Sequence, residues 1–135
     1  MRIKVDTTVR APLASVWNAY TSPDDIVQWN AASDDWHTTR AIVDLRPGGK
    51  FCSRMEARDG SAGFDFEGTY TTVVPNSLIE YTFGGRRARV EFSEGPDGVS
   101  VRVSFDSEET HTIEQQRVGW QAILDRFKAH AEANA

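Results

Sequence analysis

The sequence predicts an α+β fold in which a curved antiparallel β-sheet wraps around a long C-terminal helix. Three observations predict it. Apolar and polar residues alternate in short runs from about Trp36 to Asp106, five turn signals separate those runs, and an amphipathic stretch extends from about Thr112 to Ala133. Short turns between alternating strands imply antiparallel neighbours, because parallel neighbours need long crossovers. Alternation implies one covered face and one wet face.

Each element follows from its own residues. Ile3, Val5, Thr7 and Val9 alternate, as a half-buried first strand requires. Ala11-Pro12 then opens a helix, with proline tolerated in the first turn. Its apolar stripe is Leu13, Val16, Trp17 and Tyr20, at i, i+3, i+4 and i+7. Ser22-Pro23-Asp24-Asp25 starts a second short helix: a serine at the cap, proline at the first position and acids near the positive end of the dipole. That helix carries Ile26, Val27 and Trp29 inward.

Six strands are expected next, divided by Arg46-Pro47-Gly48-Gly49, Arg58-Asp59-Gly60, Val74-Pro75-Asn76-Ser77, Phe83-Gly84-Gly85-Arg86 and Gly95-Pro96-Asp97-Gly98. One parity holds Phe51, Ser53 and Met55; the next strand has Phe64, Phe66, Gly68, Tyr70 and Thr72. Ile79, Tyr81 and Phe83 follow, then Ala88, Val90 and Phe92, then Val99, Val101, Val103 and Phe105. Thr112 and Gln115 have capping-box spacing at the head of the last helix, whose apolar face is Ile113, Trp120, Ile123, Leu124 and Phe127. At 1.5 Å per residue such a helix spans roughly 30 Å and can lie across most of a sheet.

A sheet with one covered face needs a cover, and the last helix is the only element long enough. The order β-α-α-β×6-α therefore gives a helix-grip fold over residues 1–135 as a single domain, with the two short helices closing one end. A strongly bent sheet cannot touch a straight helix along its whole length. The gap between them is the candidate pocket.

Composition narrows the function classes. Of 135 residues 39% are hydrophobic, with seven Phe, four Trp and three Tyr, enough for a core and unlike a disordered chain. The net charge of −5 disfavours nucleic acid or anionic membrane surfaces, which need clustered positive charge. The densest basic run, Arg86, Arg87 and Arg89, sits beside a turn and reads as a solvated strand end, with an anion contact as its functional alternative. One cysteine, Cys52, allows no intramolecular disulfide. Together with a first segment that lacks the apolar run of a signal peptide, and no stretch near the ~18 apolar residues of a membrane span, this makes a cytoplasmic protein without membrane insertion the expectation.

Motifs for chemistry are sparse. His37, His111 and His130 are far apart and have no metal-type spacing, so no metal site or cofactor is expected. Phosphate loops, dinucleotide fingerprints and nucleophile elbows are not found. His37, after Trp36 and near the expected pocket mouth, is the one titratable residue with a conceivable acid–base role; its plain reading is a loop histidine. Arg54 reads as an outward residue paired with Asp65 or Glu67 across the strands, and Cys52 as outward-facing.

Several pieces, in order, resemble the activator of heat-shock protein 90 ATPase homologue family of the START-like, or SRPBCC, superfamily. They are Val16-Trp17-Asn18-Ala19-Tyr20-Thr21-Ser22-Pro23-Asp24 with Trp29; Asp44-Leu45-Arg46-Pro47-Gly48-Gly49-Lys50-Phe51; Gly68-Thr69-Tyr70 with Val74-Pro75; Ile79-Glu80-Tyr81-Thr82-Phe83; and Gly119-Trp120. Gly48-Gly49 suits a tight hairpin, and Gly119 is expected to let the last helix approach the sheet closely. The resemblance implies the helix-grip fold. It does not choose among lipid carriers, hormone receptors, polyketide cyclases, self-resistance proteins and chaperone or stress-response co-factors, all of which the superfamily holds.

The expected function is non-enzymatic binding of a hydrophobic small molecule, lipid-like or aromatic and polyketide-like, between sheet and C-terminal helix. Its cavity candidates are Trp29, Trp36, His37, Phe51, Ser53, Met55, Phe66, Tyr70, Tyr81, Phe83, Phe105 and Trp120, large rings beside the small Ser53 and Gly68. No catalytic residue is assigned. The alternatives are a cavity enzyme of cyclase or hydrolase type, drawing on His37 and the tyrosines, and a protein-interaction module with a chaperone partner. Either a monomer or a homodimer fits.

Overall fold

A computed structural model describes residues 1–135. Its elements are β1 (Arg2–Val9), α1 (Leu13–Thr21), α2 (Pro23–Trp29), β2 (Trp36–Val43), β3 (Lys50–Ala57), β4 (Gly63–Val74), β5 (Leu78–Phe83), β6 (Arg86–Gly95), β7 (Gly98–Asp106) and α3 (Ile113–Ala133). All seven strands form one antiparallel sheet, ordered β1-β7-β6-β5-β4-β3-β2. Five hairpins build it from β2 to β7. The closing pair joins the first strand to the last, with Ile3 opposite Phe105 and Val5 opposite Val103.

The strand parity read from the sequence holds on β5, β6 and β7, where every second residue is buried. It fails at one place. The register shifts between Tyr70 and Thr72, so Thr72 does not share the inner face of Tyr70, and Val73 packs on the core in its stead. A second shift lies between Thr38 and Arg40 on β2. Bulges of this kind bend the strand that carries them and increase its twist. These two sit on the half of the sheet that curls away from α3.

α3 starts where the sequence predicts. Thr112 Oγ1 accepts the Gln115 amide N–H at 3.0 Å, and Gln115 Oε1 accepts the Thr112 N–H at 2.9 Å, the reciprocal capping box. The buried Gln116 side chain anchors the preceding loop: its amide donates to the carbonyls of Glu108 and His111, and its oxygen accepts the Glu108 N–H. α3 lies along β1, and α1 and α2 pack beside its C-terminal half. There His130 Nε2 meets Asp25 Oδ1 at 2.8 Å, tying the two helices together.

The short helices form as expected, with two differences in detail. Pro12 is the N-cap residue of α1 and not its first helical position, and Ser22 occupies the N-cap of α2 without a side-chain cap bond. Trp17, Tyr20, Trp29, Phe92 and Phe127 pack edge-to-face with centroids 5.0–5.5 Å apart, except for the tilted Tyr20–Trp29 pair. The Trp29 indole donates to the Ala19 carbonyl at 2.9 Å, which joins α2 to α1.

Two glycines correct the sequence reading. A Cβ at Gly119 would meet nothing within 4 Å, so this residue serves no close approach of helix and sheet. Gly68 is the tight one. A Cβ there would collide with the Thr82 carbonyl oxygen and come within 2.8 Å of the Phe51 ring. The space that Gly68 leaves is thus filled by its cross-strand partner Phe51.

Candidate functional site

Where the curled half of the sheet leaves α3, a cavity of about 280 Å³ opens. Eighteen residues line it, fourteen of them hydrophobic. β3, β4 and β5 supply Phe51, Ser53, Met55, Phe66, Tyr70, Ile79 and Tyr81. α3 covers it with Trp120, Ile123 and Leu124, and α1 and α2 close one end with Tyr20, Ile26 and Trp29. Phe64, at 50% exposure the most open of the apolar lining residues, marks the rim.

The structure brings eight of the sequence candidates to this cavity: Trp29, Phe51, Ser53, Met55, Phe66, Tyr70, Tyr81 and Trp120. Four others stand elsewhere. Phe83 and Phe105 lie in the core beneath Trp120, with the Phe105 ring stacked on the indole at 3.9 Å. Trp36 leans on Phe64 at 5.8 Å, outside the cavity wall. His37 follows it on the opposite face of β2: its neighbour Thr38 is buried and gives its hydroxyl proton to the Asn30 carbonyl, whereas His37 faces outward opposite Glu56.

The sequence reading missed Tyr20, Thr21, Ile26, Asn30, Ile79, Arg86, Val103, Ile123 and Leu124, and grouped Phe64 with the aromatics without placing it at the cavity. For Tyr20, Ile26, Ile79, Val103, Ile123 and Leu124 the signal was present but identical to that of core residues. Arg86 was read as a solvated strand end beside its turn; it is half-buried and lines the cavity.

Polar groups in the wall are few. All three tyrosines of the chain are there. Their hydroxyls have no partner within the chain, yet no fully enclosed side-chain nitrogen or oxygen lacks one. The hydroxyls therefore open on the cavity. Burial pushes Tyr70 up to about 12, helped by Asp44, and raises Tyr20 and Tyr81 as well. Each is consequently a proton-bearing donor at neutral pH. Arg86 is the one charged residue in the wall.

The outer face of the sheet has different chemistry. Arg54 pairs with Glu56 at 3.1 Å and with Asp65 at 3.4 Å, as expected for an outward arginine. Cys52, Asp65 and Glu67 gather with their donor atoms within 4.8 Å of one another. Burial, then the two carboxylates, push the Cys52 thiol up, so it holds its proton.

Comparison with known proteins places this architecture. Among curated proteins none matches the chain. The solution structure of an AHSA1-like protein from Aeromonas hydrophila is 47% identical, with a TM-score of 0.94 over 99% of this chain and 94% of that one. A solution structure from Cytophaga hutchinsonii is 46% identical, with a TM-score of 0.84 over 98% and 93%. A crystal structure from Chromobacterium violaceum, 21% identical, has a TM-score of 0.86 over 98% of both chains and so shares the fold. With the seven-stranded curled sheet, the long C-terminal helix and a family-model match over residues 10–132, the chain belongs to the family described as Activator of Hsp90 ATPase homolog 1-like protein.

Proposed function

We propose that this protein binds a small apolar molecule, aromatic or lipid-like, without transforming it, in the cavity between sheet and C-terminal helix. The observation that carries this reading is the 280 Å³ space itself, with fourteen hydrophobic residues among its eighteen. Small-molecule sites are concave, mostly apolar and furnished with a few placed polar groups. The volume lies just below the usual range for such sites. It suits a compact ring system or one short chain better than a two-chain lipid. Members of this family typically bind hydrophobic ligands, which points the same way.

The tyrosine hydroxyls give the ligand its orientation. A carbonyl or ether oxygen on an otherwise apolar body would accept from Tyr20, Tyr70 or Tyr81, whose donors have no competing partner in the wall. The same hydroxyls support the cyclase-type alternative, since a buried tyrosine can protonate a developing oxyanion. His37 gives that alternative no support, because it stands on the outer face. We further read residues 1–135 as one cytoplasmic domain, monomeric or homodimeric.

Native mass spectrometry of the gently purified protein, followed by extraction of whatever it retains, tests the reading. A retained apolar compound, recovered chemically unchanged after incubation, supports binding. Recovery of a converted compound favours the cyclase-type enzyme. A protein that stays empty, and shows no thermal shift across a broad library of lipids and polyketides, overturns both.

A further inference from the structure

Arg86 opens β6, beside the turn Gly84-Gly85, and points along the inner side of the sheet toward the cavity. Its guanidinium lies over the Phe83 ring, 4.3 Å from the centroid, and Nη1 donates to the Asp106 carbonyl at 3.3 Å. These two contacts fix the group in place. They leave most of its five N–H donors unused.

No carboxylate meets it within 4.0 Å, although it is partly withdrawn from water. Arg2, Arg46, Arg54, Arg87, Arg89, Arg117 and Arg126 each pair with an acid. Arg10, Arg40, Arg58 and Arg102 have no such pair but are exposed, so water balances them. Arg86 alone is both half-buried and without an acid. Two acids lie in its neighbourhood without pairing with it: the Arg86 charge helps to hold the Glu108 carboxyl below its usual range, but both acids make their contacts elsewhere. Asp106 accepts from Arg2 at 3.2 Å and from the Arg87 N–H at 2.9 Å, and Glu108 accepts from the His111 N–H at 2.7 Å and faces its ring. A cation withdrawn from water without a counter-charge is costly, and the cost falls when an anion joins it.

We propose that the ligand is an apolar acid: its body fills the aromatic cavity and its single carboxylate is taken by Arg86. This deepens the binding reading above and rests on it. The guanidinium fork matches a planar carboxylate through two parallel hydrogen bonds. The wall holds one positive charge and no other, so a monoanion neutralises it, whereas a doubly charged phosphate would leave a net charge in an apolar wall. Tyr81, which lines the same cavity and feels the Arg86 charge, is a donor for a second polar atom on the body.

Two acid–amide pairs test this: naphthoate with naphthamide, and decanoate with decanamide, titrated into the isotopically labelled full chain and followed by NMR. Within each pair the apolar body is constant and only the charge changes. At least one acid is expected to shift the amide resonances of Arg86, Ile79 and Val103, and to bind about tenfold or more tightly than its amide. Arg86→Gln is expected to bring the acid down to the affinity of the amide. Arg86→Lys, which keeps the charge without the fork, retains part of the gap. Arg87→Gln, on the exposed neighbour that pairs with Asp106, leaves the gap intact. Equal binding of acid and amide in the unmutated protein, or a gap that survives Arg86→Gln, overturns the anion anchor and leaves the apolar cavity standing. Failure of all four compounds to shift the cavity residues at millimolar concentration overturns the anchor and the binding reading together.

Discussion

The indole of Trp120 lies flat on the ring of Phe105, centroids 3.9 Å apart and planes 11° from parallel. Phe105 is fully buried on β7 beneath the helix, and Trp120 also borders the cavity. This stack is therefore the seam at which α3 stops packing on the sheet and starts to roof the cavity. Trp120→Ala removes the seam and should cost about 3 kcal/mol or more of stability by chemical denaturation, in the range for large aromatic truncations. Trp120→Phe retains a ring on Phe105 and should cost clearly less. Equal losses for the two variants would mean that the stack contributes nothing beyond bulk.

The two glycines at tight and open sites should respond in opposite senses. Gly119 lies inside α3 with open space where a Cβ would go, so Gly119→Ala should stabilise the fold by about 0.5–1 kcal/mol through helix propensity alone. Gly68→Ala must push the new methyl group against the Thr82 carbonyl and the Phe51 ring, and should destabilise by about 1–3 kcal/mol. Thermal and denaturant unfolding of the two variants, compared side by side, checks the pair. A destabilised Gly119→Ala would mean that the residue is held for a contact outside the folded chain.

What could be read from the sequence, and what could not, divides along physical lines. Strand parity placed Ser53, Met55, Tyr70 and Tyr81 on the inner face because the side-chain period of a strand is two and nothing interrupts it there. The bulge between Tyr70 and Thr72 has no signal in composition, so Thr72 was assigned to the wrong face. Capping chemistry at Thr112 and Gln115 is local and could be located to the residue. Whether an inward aromatic becomes wall or core is not local. Phe66 and Phe83 sit on neighbouring strands with the same parity and touch at 5.5 Å, yet only Phe66 borders the cavity, so parity alone does not decide which inward ring becomes wall. Arg86 was obscured for the same reason. Its turn reads as solvated, and only the return of β7 beside β6 brings Asp106 and the cavity wall to it.

Ser53 offers a direct way to separate cavity from scaffold. It is a buried small residue in the wall, flanked on β3 by Phe51 and Met55 on the same face. Ser53→Leu should project into the open space, lowering the affinity of an apolar probe such as naphthoate about tenfold or more while shifting the melting temperature by only a few degrees. Calorimetric titration and thermal unfolding of the same sample measure both. Unchanged affinity would place the ligand away from the β3 wall.

The alkaline limb of stability should be governed by the cavity tyrosines. Tyr70 has an ordinary value of 10.0 and is raised by burial to about 12; Tyr20 and Tyr81 are raised as well, also mainly by burial. Between about pH 10 and pH 12 the unfolded chain has released phenolic protons that the folded chain still holds, so each rise in pH favours unfolding. Their contribution is complete below pH 10 and is lost as pH climbs through the folded values. No other tyrosine exists to ionise earlier. Tyrosinate absorbance should accordingly stay flat where free tyrosine titrates, then rise together with the loss of circular dichroism in one cooperative step. Tyr70→Phe, which removes one of the three groups, should weaken the pH dependence of stability above pH 10. A smooth absorbance rise centred near pH 10, with the fold intact, would show that at least one hydroxyl is open to bulk water, and the cavity could then not serve as a dry apolar site.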